Sequence, residues 1–415
     1  MAIDSWKFPH LDIEPDIDGA AELPGNRKTV LAGGFLLGLA VVLVALNLRP
    51  AITSVGAMLD EVRVSLGASV TWAGLLTTLP GLCFAGAGFA APVLARRFGV
   101  GATLTAALAV LSAGLVLRVL DGPLVVLGGT LVVTAGIALA NVLIPVVIKD
   151  SFPARIGLMT GVYTAALQGG GALGSAATPP LAGELGGWRP ALASWVVIGV
   201  IALVAWSFAA RRRVSADAGN ARPGRARRSL LRSPLAWMVT LFFGLQAFVA
   251  YIAMGWLPQV LMDAGVSRGD AGLLLGLISV LAVPISLTVP AIAARQGSQT
   301  WWIAGLGAFG FAGVLGLVLA PSASPLLWSV LVGIGMSVFS LALTVIALRA
   351  KTGEETASLS GMAQGFGYLL AALGPFLFGL LHEATGGWTV PLVMVLGVIA
   401  VQTFFGAVAG RRRFV

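Results

Sequence analysis

What most constrains this chain is a series of twelve apolar stretches. They fall at about 29–58, 69–94, 100–118, 123–147, 157–183, 191–210, 235–262, 271–294, 301–320, 325–348, 359–382 and 389–409, and the breaks between them hold nearly all the charge. A helix needs roughly 20 apolar residues to cross a bilayer. In hydrocarbon every backbone polar group must be satisfied within the protein, which leaves helices and closed barrels as the spanning forms. The chain therefore reads as an all-α membrane protein with twelve transmembrane helices. Composition agrees: 58% of residues are hydrophobic and 10% are charged, against about 25% charged in soluble domains.

The charge then sets the orientation. With the N-terminus in the cytosol, the inner segments hold Lys7, Arg27, Lys28, Arg96, Arg97, Lys149, Arg155, the arginines between 211 and 232, Arg295, Arg349, Lys351 and Arg411 to Arg413. Only Arg63, Arg118, Arg189 and Arg268 fall outside. That asymmetry follows the positive-inside rule, and an even helix number puts both termini in the cytoplasm. A formal charge of +9 would suggest nucleic acid for a soluble domain; topology accounts for it here, and no nucleic-acid partner is expected. The expected location is the plasma (inner) membrane, multi-pass.

Five segments follow. Residues 1–28 form an acidic cytosolic tail, read as disordered, with no basic start and apolar core of a signal peptide. Residues 29–210 and 235–410 carry six apolar runs each. A basic linker, 211–234, separates them, and 411–415 is a basic cytosolic tail. The one cysteine, Cys83, excludes a disulfide within the chain and reads as a small buried hydrophobe. His10 and His382 are too few for a histidine site. No cofactor, metal or nucleophile constellation is expected, so the chain is not read as an enzyme. It has no Walker loop, which disfavours ATP-driven transport.

Arg49 departs from the pattern. It lies within the first apolar run, in ALNLRPAITSV (45–55), directly before Pro50. A guanidinium stays charged, and placing it in a membrane span costs about 2.5–3.5 kcal/mol on insertion scales. Pro50 removes a backbone donor, so the helix should bend there. None of the acids lies deep in a span: six are in the tail, and Asp60, Glu61, Asp121, Glu184, Asp263, Asp270 and Glu383 belong to outer loops or helix ends. An unpaired buried cation is costly, and an arriving anion would relieve that cost. Arg49 therefore reads as facing a polar, anionic substrate. The alternative is a structural arginine bonded to carbonyls, Asp60 or Glu61.

Other polar groups within spans are Asn47, Asn141, Tyr163, Gln168, Gln246, Tyr251, Trp256 and Gln364. Amides both donate and accept, so they can hold polar solutes; they also serve as bonds between helices, worth about 0.6 kcal/mol on average. Trp256 reads equally as an interface marker. Pro50, Pro80, Pro145, Pro179, Pro180, Pro284, Pro290 and Pro375 interrupt spans, as kinks that rock or kinks that are static. The lack of a deep carboxylate favours facilitated diffusion, or co-transport in which a proton rides on the substrate.

An internal repeat gives the architecture. Gly161 to Trp188 and Gly361 to Trp388 share an opening Gly, an Ala-Leu-Gly (172–174 and 372–374) and a closing Gly-Gly-Trp. At nearly the same separation, Ala73-Gly74-Leu75-Leu76 matches Ala271-Gly272-Leu273-Leu274, and Pro92 with Arg97 matches Pro290 with Arg295. Two pseudo-symmetric six-helix bundles in the same orientation are the expected fold.

NLRPAITSVG (47–56), AGLLTTLP (73–80), GVYTAALQGG (161–170), YIAMGWLP (251–258) and LSGMAQGFGYLLAALGPFLFG (359–379) carry a resemblance to the cyanate and nitroimidazole porter family, CynX/NimT type, of the major facilitator superfamily. It covers about residue 30 to the C-terminus. The resemblance implies the major facilitator fold, a central cavity between the halves and movement of a small-molecule substrate by alternating access. One departure lies between the second and third helices. The usual pattern has an Asp before a basic pair, and here ARRFG places Ala95 there. The resulting expectation is a secondary transporter of a small polar, anionic solute such as cyanate or a related oxyanion. The alternative is an efflux carrier for small neutral heteroaromatics such as nitroimidazoles. Candidate substrate-binding residues are Arg49, Asn47, Gln168, Gln246, Tyr251, Asn141, Gln364 and Tyr163. A monomer in the lipid bilayer is expected, with protons as the candidate coupling ion.

Overall fold

The computed structural model describes residues 27–217 and 230–415. The expected acidic tail thus lies outside the described residues except for its last two positions, and so does the middle of the basic linker.

The first apolar run forms two helices, α1 (Arg27–Leu48) and α2 (Pro50–Ala57), which meet at Arg49. Pro50 takes the first helical position of α2, where its missing N–H costs nothing. A short α3 (Leu59–Ser65) follows. Next come α4 (Val70–Phe98), α5 (Val100–Leu117), α6 (Pro123–Ser151) and α7 (Ile156–Leu185). The sixth run divides at Trp195 into α8 (Trp188–Ser194) and α9 (Val196–Asp217). After the linker come α10 (Pro234–Asp263), α11 (Arg268–Ala293) and α12 (Thr300–Leu319). The tenth run divides at Ser337 into α13 (Pro325–Met336) and α14 (Val338–Arg349). The chain closes with α15 (Gly353–Thr385) and α16 (Thr389–Ala409).

Among the described residues, 11 runs have the length and hydropathy to cross a membrane. The remaining one is α7, a 30-residue helix. Its glycines, its threonines and Gln168 lower its hydropathy below that of the other runs while leaving its length ample.

Local sequence sets the helix ends. Ser69, Ser233, Ser267 and Thr352 cap α4, α10, α11 and α15 by accepting from Trp72, Ala236, Asp270 and Glu355 N–H. The repeated Gly-Gly-Trp ends α7 and α15 alike. Gly186 (φ 79°) and Gly386 (φ 67°) adopt the left-handed backbone that only glycine enters freely.

Within the first six runs, α1 packs on α7 and α9, α5 on α6 and α9, and α4 on α6. Within the last six, α10 packs on α15 and α16, α12 on α13 and α16, and α11 on α13. Across the middle, α4 meets α15 and α7 meets α11. Glycines allow these crossings to close onto backbone. A Cβ at Gly88 of α4 would lie 2.3 Å from the Gly365 backbone of α15, and one at Gly161 of α7 would lie 2.2 Å from the Ser286 carbonyl of α11.

Two arginines expected in loops are buried. Arg118, just past α5, is 1% exposed, and Arg349, at the end of α14, is 3% exposed. Arg349 donates from Nε to the Ala409 carbonyl (2.8 Å), from Nη2 to the Gly410 carbonyl (2.9 Å), and to Gln299. It caps the end of α16, where a cation meets the carbonyls left free by the helix.

Candidate functional site

Arg49 sits at the junction of α1 and α2. Its carbonyl accepts from Ile52 N–H (2.9 Å), Thr53 N–H (3.0 Å) and the Thr53 hydroxyl (3.2 Å). The same Thr53 hydroxyl donates to the Gly171 carbonyl of α7 (2.9 Å). The Arg49 stem crosses α7 where it is bare: a Cβ on Gly171 would lie 3.2 Å from Arg49 Cδ, and one on Gly174 would lie 2.6 Å from Pro50 Cα. The glycine run of α7 is the bed for the junction.

The guanidinium makes no hydrogen bond or ion pair among the described residues. The side chain of Asp60, one alternative partner, lies outside the described part, and Glu61 is exposed. The chain has 3 tyrosines, and all of them, Tyr368, Tyr251 and Tyr163, lie close enough to interact electrostatically with Arg49. They come from α15, α10 and α7. Tyr368 stacks on Tyr251 at 6.2 Å and on Phe84 of α4 at 4.8 Å, and Phe243 meets it edge-on at 5.3 Å. The result is an aromatic wall built from α4, α10 and α15 in the neighbourhood of the cation.

A polar network supports this wall. The Tyr163 hydroxyl donates to Asn141 Oδ1 of α6. Gln364 of α15 donates from Nε2 to the Ser360 hydroxyl (2.8 Å) and the Asn141 carbonyl (3.4 Å), and Ser360 donates to the Val142 carbonyl (2.9 Å). Gln168 lies one turn before Gly171 on α7, with its Oε1 unpartnered.

The structure thus brings together Arg49, Tyr163, Tyr251, Asn141 and Gln364 of the sequence candidates, with Gln168 one turn away. Asn47 and Gln246 lie elsewhere. Asn47 is 1% exposed with both side-chain polar atoms unpartnered. It turns towards α5 and α9: a Cβ on Gly199 would lie 3.0 Å from Ser112 Oγ and 3.4 Å from Asn47 Nδ2. Gln246 and Gln402 line a small cleft between α10, α12, α13, α14 and α16 whose lining does not include Arg49. Trp256 donates to the Pro375 carbonyl (3.0 Å) and packs on Phe378 and Trp388, apart from the tyrosines.

Sequence reasoning passed over Tyr368 and Phe84. A signal for Tyr368 existed. Ser360, Gln364 and Tyr368 recur every fourth residue on α15, which puts three polar groups on one face of an apolar helix.

A multi-pass helical membrane protein with an unpaired cation set at a helix break is the class these features define. The model of the Major Facilitator Superfamily matches residues 31–375, and the chain belongs to that superfamily, as a secondary transporter. It is 38% identical over 393 residues to the 2-nitroimidazole transporter of Escherichia coli, covering 94% of this chain and 98% of that one. It is 37% identical over 395 residues to the transporter YycB of Bacillus subtilis, covering 94% and 97%. To the cyanate transport protein CynX of Escherichia coli it is 30% identical over 379 residues, covering 89% and 97%. Among solved structures it resembles the transporter FucP in the outward conformation (TM-score 0.71, 13% identity, 90% of this chain and 98% of that one). It also resembles the proton:xylose symporter XylE (TM-score 0.70, 14% identity, 92% and 95%).

Proposed function

We propose that this transporter moves a small anionic solute, cyanate or a related oxyanion, by alternating access, and that Arg49 contacts it. The observation that carries the reading is a guanidinium with no partner among the described residues, with three tyrosines close enough to feel its charge. An anion entering there gains a planar fork of charged donors and hydroxyl donors from Tyr251 and Tyr368, while the Tyr163 hydroxyl is held by Asn141. Asn141 and Gln364 hold the wall in place, and Gln168 lies within a turn of it. Asn47 and Gln246 belong to the helix packing of each half and act on the solute only through the helices that carry them.

The halves, 29–210 and 235–410, are read as pseudo-symmetric bundles. Support comes from their pairings: α1 with α7 and α9 corresponds to α10 with α15 and α16, and α5 with α6 and α9 corresponds to α12 with α13 and α16. The positive-inside distribution supports cytoplasmic termini and a place in the plasma membrane. A monomer suffices, since both walls of the site come from one chain. With no carboxylate beside Arg49 among the described residues, a coupling proton travels on the solute.

One observation favours a second reading, a carrier of small heteroaromatics. Phe84, Tyr368 and Tyr251 present stacked ring faces beside the cation, suited to a flat ring bearing a nitro group, whose two oxygens match the guanidinium fork. The two readings separate in uptake by proteoliposomes offered labelled cyanate or 2-nitroimidazole from outside, with and without a pH gradient. The anion reading expects cyanate uptake that Arg49→Ala abolishes. Uptake of 2-nitroimidazole alone, insensitive to Arg49→Ala, overturns it.

A further inference from the structure

The second buried arginine of the first half has no part in the reading above. Arg118 follows α5, and its backbone is fixed on both sides. Its N–H donates to the Gly114 carbonyl at 2.9 Å. Against it, α6 approaches so closely that a Cβ on Gly129 would lie 2.4 Å from Arg118 N. From this fixed base the side chain reaches into α2. Nη1 donates to the Ala51 carbonyl, and Nη2 lies 3.5 Å from the Ser54 hydroxyl. Ser54 is 0% exposed, and Arg118 Nε has no partner.

The energetics of α2 make these ties matter. It has 8 residues, too few to hold helical form alone. Thr53 to Gly171 ties it to α7, and Arg118 ties it to the end of α5. Burial strips the Arg118 guanidinium of its hydration, while a guanidinium stays charged at neutral pH. A neutral amide could bridge a carbonyl and a hydroxyl at lower cost. The cation does more, because it adds a second positive charge to the helix that begins at Arg49.

We propose that Arg118 is a positioning residue for Arg49: it holds α2 by the Ala51 carbonyl and the Ser54 hydroxyl, and so sets where the Arg49 guanidinium stands. The role rests on the anion reading for its effect on transport, but not for its effect on α2. Arg118→Met removes the fork and keeps most of the volume, Arg118→Lys keeps the charge, and Ser54→Ala removes the weaker contact and serves if Arg118→Met fails to fold.

The test pairs two measurements on the full-length protein. Amide exchange over residues 50–57 is expected to rise about tenfold in Arg118→Met and less in Ser54→Ala. Cyanate uptake is expected to show KM raised roughly 10- to 100-fold with Vmax little changed, since displacing a contact by about 1 Å costs on that order; Arg118→Lys recovers part of the affinity. A merely structural arginine would lower the amount of folded carrier, and with it Vmax, at unchanged KM. Unchanged exchange over 50–57 in both Arg118→Met and Ser54→Ala overturns the proposal whatever the transport result. Faster exchange with unchanged KM for cyanate, or for 2-nitroimidazole if that is the probe carried, also overturns it. If the parent carries neither probe, the anion reading falls and the exchange result alone decides on Arg118.

Discussion

Replacing Arg49 with Met should separate function from stability, with opposite signs. In the folded carrier the guanidinium has given up water without gaining a partner among the described residues. An uncompensated interior cation costs several kcal/mol, and Arg49 is half-buried, so part of that cost remains to be recovered. If Arg49→Met recovers about 1 kcal/mol, thermal unfolding of the purified carrier should move up by about 1 °C. Transport should move the other way. A fork offers two charge-assisted hydrogen bonds at about 1.5–3 kcal/mol each. Losing both, about 4 kcal/mol, lowers affinity for an oxyanion roughly a thousandfold. Arg49→Lys keeps the charge and loses the fork geometry, about half that energy, so a loss of roughly 30-fold is expected. Tryptophan fluorescence reads the melting, and uptake of labelled cyanate into proteoliposomes reads the affinity. An Arg49→Met carrier that melts several degrees lower and transports at the parent rate would refute the reasoning. It would mean that the guanidinium is a structural bond.

Three further outcomes follow from the same geometry. Tyr368→Phe should keep the stack on Phe84 and Tyr251 and lose one hydroxyl, a change of about tenfold or less; Tyr368→Ala loses the stack as well, about 0.5–1.5 kcal/mol more, and should weaken 2-nitroimidazole binding more than cyanate binding in competition assays. Gly88→Val places a branched side chain where a Cβ alone would meet the Gly365 backbone at 2.3 Å, so α4 and α15 cannot close; labelling of a cysteine introduced by Ala91→Cys in a Cys83→Ser background should rise and net uptake should stop. Arg349→Ala uncovers the Ala409 and Gly410 carbonyls and should destabilise the carrier by about 3 kcal/mol, read as a lower melting temperature with KM unchanged.

The spans were legible because hydrocarbon leaves few choices. Any run of apolar residues long enough must be a helix, and Pro50 fixed where the first one breaks. Arg49 was legible for the same reason, as a charge that could not sit in lipid unexplained. The surroundings of Arg49 were less so. Asn47 and Gln246 have the same chemistry as Asn141 and Gln364, and their runs are apolar on every face, so no periodicity said which way each side chain turns. Only packing decides that: α5 and α9 take Asn47, while α12, α13 and α16 take Gln246. Arg118 looked like a loop residue because it follows the last apolar position of its run. Its burial depends on Gly129 of the next helix, a contact that sequence spacing does not reveal.

The tyrosine wall has one more consequence. Arg49 and Tyr163 ride on helices before the basic linker, while Tyr251 and Tyr368 ride on helices after it. On the proposed reading, a solute held by Arg49 from one half and by Tyr251 and Tyr368 from the other works as a rivet through two plates, and an empty hole leaves the plates free to slip. Occupancy and the relative motion of the halves are then one event, and a solute too short to span the gap would be held by one plate and left behind.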